Sequence, residues 1–384
     1  MKKPEPNFVV QSTPSTYFTS RGNGSHEMNF GTVAEYGETI PNDRLFIHNR
    51  ARPPQIDIST WRLEVTGTGV SRPRSFTYQE ILALPSVTLR RTLDCGVNFR
   101  AFFPKVSPYK SLTWLPIGWT QWHFGAVGAT DWTGVRMKEV LDAAGLGHAA
   151  NARFTSLDAV AVEGGKLPYS QVISMEKILE NDTLLAYGMN GADLPIDHGY
   201  PVRAVFSGWG GNTAVKWLGS IEVSAEPLPL THFQQNQVLA GPDFPEPVLP
   251  AAGPVRSALE LNENITILPG DHTLYGRAWS GAGAITRVDV CLERMIAPDT
   301  WAPVWTPHWR EATLLNKAEP LIWVRFEVSW SKAVPGQYRL MTRATDDKGR
   351  SQPRAEDMVW NTHGIAYNGA APLEVTVLPL SDMP

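Results

Sequence analysis

Cysteine is nearly absent from this chain of 384 residues: Cys95 and Cys291 occur without any C-x-x-C or C-x-x-C-H. A disulfide framework and covalent haem attachment are therefore excluded. No apolar run approaches the length of a membrane span, and Met1-Lys2-Lys3-Pro4-Glu5-Pro6-Asn7 leads into polar Gln11-Ser12-Thr13 rather than an apolar leader. The chain is expected in the cytoplasm, or in the periplasm as a mature form trimmed of a leader. An excess of basic charge is also missing. Lys plus Arg number 34 against 38 for Asp plus Glu, a net charge of -4, which indicates neither nucleic acid nor an anionic membrane as partner. There is no H-E-x-x-H, no H-x-E with C-x-x-C, no G-x-G-x-x-G after a strand and no G-x-S-x-G. Zinc hydrolases, nicotinamide enzymes and serine hydrolases lose their main signatures.

The length implies two or three domains, each with its own core. Residues 1–40, rich in Ser, Thr, Gly, Asn and Pro without periodicity, read as a surface arm. Alternation from Gln55 to Val70 predicts a strand, and Tyr78 to Leu84 a short helix stopped by Pro85. Met137, Val140, Leu141 and Ala144 recur at helical spacing before Gly145, which predicts a helix over 135–144. A shorter helix follows Ser174, and strands are predicted over 202–206 and 217–223. These alternate as in an α+β domain over 41–225. Residues 226–255, rich in proline, read as a linker. Beyond them short strands separated by Gly, Pro and Asp predict an all-β sandwich over 256–384, with Cys291 structural or idle and Asp346-Asp347 a solvated turn.

The chemistry centres on Thr92-Leu93-Asp94-Cys95-Gly96-Val97-Asn98-Phe99-Arg100. Cys95 ends an apolar-alternating run where a strand gives way to a turn, with Arg100 close behind. A lone cysteine there is more often a small buried hydrophobe than a ligand. Read functionally, a soft thiolate beside a permanent cation suits a metal centre that acts on an oxyanion. Ser207-Gly208-Trp209-Gly210-Gly211-Asn212-Thr213 with Lys216 is either an ordinary glycine turn or a phosphate cradle. His198 and Arg203, just before it, are surface groups or donors to an anion or a polar ring.

These segments resemble the sulfite oxidase family of molybdenum enzymes over nearly the whole chain. The Thr92–Arg100 stretch is similar to T-L-x-C-A-G-N-x-R, and Gly125-Ala126-Val127-Gly128 with Trp132-Thr133-Gly134-Val135 to G-A-[IV]-G-x-x-x-W-x-G-V. His198-Gly199-Tyr200-Pro201-Val202-Arg203 and Val215-Lys216-Trp217-Leu218 are similar to H-G-[FY]-P-[VL]-R and V-K-W-L. The resemblance implies a molybdopterin-binding domain of the sulfite oxidase fold followed by an immunoglobulin-like dimerisation domain, hence a homodimer. It implies Cys95 as the thiolate on molybdenum, with Phe46, Asn49, His198, Arg203, Gly210, Gly211, Asn212 and Lys216 around the pterin and its phosphate. Arg100 would face the substrate anion and Tyr169 the metal oxo groups, with Tyr187 as the alternative tyrosine.

The implied reaction is oxidation of sulfite to sulfate, with electrons passed to an external acceptor such as cytochrome c. The alternatives are another oxo-transfer substrate (a sulfane sulfur, an S- or N-oxide, nitrate) and an interaction protein without redox activity. Two positions depart from the family pattern. Phe46-Ile47-His48-Asn49-Arg50 has histidine where F-x-R-N-H has arginine, and Trp360-Asn361-Thr362-His363-Gly364 has histidine in W-N-L-R-G. With His48 and His363 in the anion pocket, affinity for sulfite is expected to fall as pH rises from ~6 to ~7.5.

Overall fold

The structure is a computed structural model that describes residues 8–22, 24–103 and 120–379. The leader reading of Met1–Asn7 lies outside these residues. Strands dominate. Among the described residues the α-helices are short: Tyr78–Leu82, Met137–Ala143 and Met175–Ile178, so the domain expected as α+β is there mostly β with a few helical turns. The first helix starts at Thr77, whose side chain accepts from the Glu80 backbone while the Glu80 carboxylate accepts from the Thr77 backbone. That reciprocal cap is what T-x-x-E encodes.

Two five-stranded sheets build the first half. One runs Ser170–Ser174, Asn151–Ser156, Leu218–Ser224, Arg62–Thr66, Arg74–Thr77, with a single parallel pair between Leu218–Ser224 and Arg62–Thr66. The strand expected over Gln55 to Val70 is confined to Arg62–Thr66, where the alternation Leu63, Val65 faces the core. The other sheet pairs Ser86–Asp94 with Val127–Arg136, then Thr183–Met189, which carries Ala192–Asp193 and Arg203–Phe206 on its far edge. Leu93 lies opposite Gly128 and Asp94 opposite Val127, so the strand delivers Cys95 to the end of this sheet.

Residues 8–40 are not the surface arm that their composition suggests. Phe18–Ser20 and Ser25–Met28 join Ile47–His48 in a three-stranded sheet, and Phe18, Met28, Phe30, Val33 and Ile40 are buried. Short strands and turns space their apolar residues irregularly, so no period announces them. Residues 226–255 are likewise no free linker. Gln234 accepts from the Val172 backbone N–H and donates to its carbonyl, both at 2.9 Å. A side-chain amide there pairs with the exposed edge of a sheet as another strand would.

Beyond residue 255 two sheets pack face to face, antiparallel except for the parallel pair of Ile265–Ile267 with Leu373–Val377. One holds Arg256–Leu259, Gly270–Trp279, Val324–Ala333 and Thr313–Leu314; the other Ile265–Ile267, Leu373–Val377, Gly336–Asp346, Ile285–Ala297, Thr300–Pro303 and Trp309–Glu311. Phe326, Val328 and Trp330 from one sheet share a core with Val288, Val290, Leu292 and Leu340 from the other, the period-2 pattern of a sandwich. Asp346, expected to be solvated, is buried and accepts from Ser280 and Arg350.

The same core cluster runs on into Leu93, Cys95, Phe99 and Trp122. Arg256 binds the two halves together. Its guanidinium, fully buried, donates to the Asp94 carboxylate, to the Asn98 carbonyl at 3.0 Å and to the Tyr367 carbonyl at 2.8 Å. Removing one member of a buried ion pair leaves the other charge unsatisfied. Asp94→Ala is therefore expected to cost ~3–5 kcal/mol in denaturant unfolding, and a loss under ~1 kcal/mol would show that the pair does not hold the turn.

Candidate active site

A cavity of about 470 Å³ opens between the Cys95 turn, the glycine turn and the 232–237 segment. That volume suits an organic cofactor with one anionic end. The strand Ser86–Asp94 ends in a turn closed by Asn98 N–H donating to the Cys95 carbonyl at 2.8 Å. Asn98 also donates to the Asp94 carboxylate at 3.0 Å. Cys95 lines the cavity and is 5% exposed. Burial pushes its thiol up, against the pull of the Val97 N–H, so deprotonation awaits a stronger positive charge than the protein supplies. A bound metal ion is such a charge.

The glycine turn packs directly on this one. The Gly211 N–H donates to the Asp94 carbonyl at 2.6 Å, and a side chain at either Gly96 or Gly210 would collide with Asn212 Oδ1. Glycine at both positions lets the two backbones and the Asn212 amide occupy one layer.

Cations surround the cavity. Arg100, buried, donates through Nε to the Gly364 carbonyl at 3.1 Å and through Nη2 to the His363 carbonyl at 2.9 Å; burial brings it down to about 10. Arg203 donates to the His198 carbonyl at 3.0 Å and sits 4.9 Å from the Trp132 ring centroid, and burial brings it down to about 9. Lys216 donates to the carbonyls of His48 and Asp197 and to Asn49 Oδ1. Burial, with Arg203 nearby, lowers it to about 7. These cations are oriented by neutral oxygens, so their charge is left to act on whatever enters.

Two buried atoms carry the test of fit. Among the described residues His198 Nε2 and Arg203 Nε have no hydrogen-bond partner, and both residues line the cavity. Donors of this kind match the polar edge and phosphate of a pterin cofactor, with the Cys95 sulfur in the same wall for a soft metal. Asn49, by contrast, is taken up by Lys216, Asp197 and the Phe8 carbonyl and acts through them. Phe46 stands edge-on to Trp122, its centroid 6.1 Å away.

Of the candidate tyrosines, Tyr169 lines the cavity and Tyr187 does not. The Tyr169 hydroxyl donates to the Asn212 carbonyl at 2.6 Å and accepts from Gln171 at 2.8 Å and Gln237 at 3.0 Å. The two histidines differ from expectation. His48 lines the cavity, with Nδ1 2.8 Å from Ser25 Oγ. Burial, then Arg50, Lys216 and Arg100, hold it well below its ordinary value, so it stays neutral across the range in which affinity was expected to fall. His363 is not in the cavity wall: its Nδ1 lies 2.8 Å from the Val238 carbonyl, and only its carbonyl reaches Arg100.

Residues 50–232 match the family model described as the oxidoreductase molybdopterin binding domain. Sulfite oxidase of Gallus gallus is 30% identical over 347 residues, 85% of this chain and 70% of that protein. The chain belongs to the sulfite oxidase family. It is a molybdopterin-dependent oxidoreductase, and its cofactor is molybdenum held by molybdopterin. Nitrate reductase [NAD(P)H] of Hordeum vulgare is 31% identical over 88% of this chain and 39% of that one. The chain spans 62% of the length of the mouse and human sulfite oxidases. Among solved structures, the sulfane dehydrogenase SoxCD from Paracoccus pantotrophus shares the fold, with a TM-score of 0.74 at 21% identity, covering 97% of this chain and 88% of that one.

Within this family member the cavity also recruits residues that motif reading passes over. Arg50 lines the wall with its guanidinium 5.7 Å from the Tyr169 ring centroid; it is visible in the sequence as the last residue of the Phe46–Arg50 motif. Phe233 and Gln237 come from the proline-rich segment, which carries no signal for them.

The neutral imidazoles set a pH dependence for the cofactor-free protein. His198, 2% exposed, is held well below its ordinary value by burial, then by Lys216 and Arg203. The unfolded chain takes up that proton near pH ~6.5 while the folded chain refuses it. Stability is therefore whole above pH ~6.5 and falls below it, by up to ~1.4 kcal/mol per pH unit from His198, with His48 acting in the same direction. Unfolding midpoints between pH 7 and pH 5 measure this. A slope that His198→Gln leaves unchanged would refute it.

Proposed function

We propose that this enzyme oxidises sulfite to sulfate and passes the electrons singly to an external acceptor such as a cytochrome c. The observation that carries the reading is that the Cys95 thiol and the Arg100 guanidinium face one cavity, a metal ligand beside a fixed cation of the kind that binds an oxyanion. When bound, molybdenum–molybdopterin supplies the oxygen-atom transfer and takes up the electron pair. Cys95 would hold the metal. His198, Arg203 and Lys216 would hold the pterin and its phosphate, with the Gly210-Gly211-Asn212 turn as the backbone cradle. Arg100 and Arg50 would bind the substrate anion and orient it, and the charge they fix in place needs no rearrangement during reaction. Tyr169 would fix the Asn212 carbonyl next to the metal side of the cavity, and His48 would offer a neutral hydrogen bond rather than a charge. The sandwich is read as an immunoglobulin-like domain through which two copies form a homodimer.

A second reading, in which another oxo-transfer substrate such as a sulfane sulfur or nitrate is used, draws on a specific feature. Among the described residues Arg100 and Arg50 are the cations that line the cavity on the side read as the substrate's, with the His48 imidazole held well below its ordinary value and His363 outside the wall. A less highly charged substrate would suit that arrangement.

Anaerobic addition of sulfite to the oxidised enzyme is expected to bleach the thiolate-to-molybdenum absorption with stoichiometric release of sulfate. If the absorption is present and sulfite leaves it untouched, sulfite is not the substrate and the second reading takes its place. Arg100→Gln is expected to raise KM for the anion ~10–100-fold, the worth of one charge-assisted hydrogen bond to a bound anion. An unchanged KM in steady-state kinetics would remove Arg100 from the substrate site.

A further inference from the structure

The strand Ile285–Ala297 buries both of its faces. Val288, Val290 and Leu292 enter the sandwich core, while Asp289, Cys291 and Glu293 are buried on the opposite side. On that second face His308 precedes Trp309–Glu311, which pairs with residues 289–291. Its Nε2 lies 2.9 Å from Cys291 Sγ and 3.1 Å from Glu293 Oε1. One ring nitrogen thus meets two acidic groups.

A single ring nitrogen serves the two groups unequally. With a proton on Nε2 it donates to the carboxylate and only weakly to the sulfur; with a lone pair there it accepts from the S–H and faces a carboxylate oxygen with nothing between them. A divalent cation serves all three groups at once, because thiolate, imidazole and carboxylate can all direct lone pairs at one point. The three ligand atoms lie within 4.8 Å of one another. The second Glu293 oxygen is held by the Arg339 guanidinium, which orients the carboxylate and leaves Oε1 for the shared point.

We propose that Cys291, Glu293 and His308 form a site for a borderline-soft divalent cation of the zinc class, built into the sandwich and independent of the oxygen-transfer reading above. A sulfur and an imidazole nitrogen disfavour magnesium and calcium, which take oxygen ligands. Tetrahedral zinc with ligand bonds of ~2.0–2.3 Å sets its ligand atoms ~3.3–3.6 Å apart, so the two contacts of His308 Nε2, at 2.9 and 3.1 Å, each need to lengthen by less than ~1 Å. On binding, the thiol releases its proton to solvent, and thiolate plus carboxylate balance the charge of the ion. His308 is half-buried, so its open side leaves the fourth position to water.

The test uses the full-length, molybdenum-loaded protein after chelator treatment, titrated with cobalt(II). One equivalent is expected to bind with thiolate-to-cobalt absorption in the near ultraviolet, and zinc should displace it. Cys291→Ser should abolish the absorption, and His308→Gln should weaken binding about 100-fold or more, the loss of one ligand of a small set. Molybdenum content and the unfolding midpoint in chelator should match the unmodified protein. If Cys291→Ser fails to fold, the His308→Gln arm decides, since that side chain reaches the surface. Absence of the sulfur absorption in the unmodified protein overturns the proposal, as does an absorption that survives in either variant at unchanged affinity.

Discussion

The hydrogen bonds that Arg256 makes to the Cys95 turn are the constraint on which the rest of the structure depends. The guanidinium belongs to the first strand of the sandwich, yet its partners are Asp94, the Asn98 carbonyl and Tyr367. A fully buried charge with several donors has few geometries in which all are met. The turn that presents the thiol is thereby fixed from behind by the other half of the chain, and the two halves share one continuous apolar core. A ligand sulfur positioned this way does not need to be ordered when the cofactor arrives.

The cavity inherits its electrostatics from how its cations are held. Arg203 and Lys216 are anchored mainly by backbone carbonyls and a side-chain amide, and Arg100 by the carbonyls of residues 363 and 364. Dipoles orient a cation without cancelling its charge, so the field is kept for the anion that binds. Burial first, and then these same cations, hold His48 and His198 well below the ordinary histidine value. His48 therefore lines the pocket without adding a permanent charge to it.

Opposite the cations lies a belt of amides. Gln171, Gln237 and Asn212 converge on the Tyr169 hydroxyl and on one another, so the phenol uses its proton and both acceptor positions within the protein. Three such bonds on one oxygen make its position rigid. Residues 232–237 supply one of its three amides, Gln237. A stretch that composition marks as a linker is thus part of the cavity wall, because glutamine amides can dock on a sheet edge without any apolar period.

The sequence by itself determined the family and the cofactor, and it marked residues that line the cavity. Cys95, Arg100, His198, Arg203 and Lys216 sit in short contiguous motifs whose local turns place them, and the sandwich strands beyond residue 255 announce themselves by period-2 alternation. Tertiary structure alone decided which of the candidate residues line the cavity: Tyr169 rather than Tyr187, and His48 rather than His363. It also decided the charge of His48 and the burial of residues 8–40. The physical reason is the same throughout. Motif and period are local properties of the chain, whereas burial, charge state and the direction of a side chain are set by groups far along it, as Arg256 is, 161 residues from Cys95.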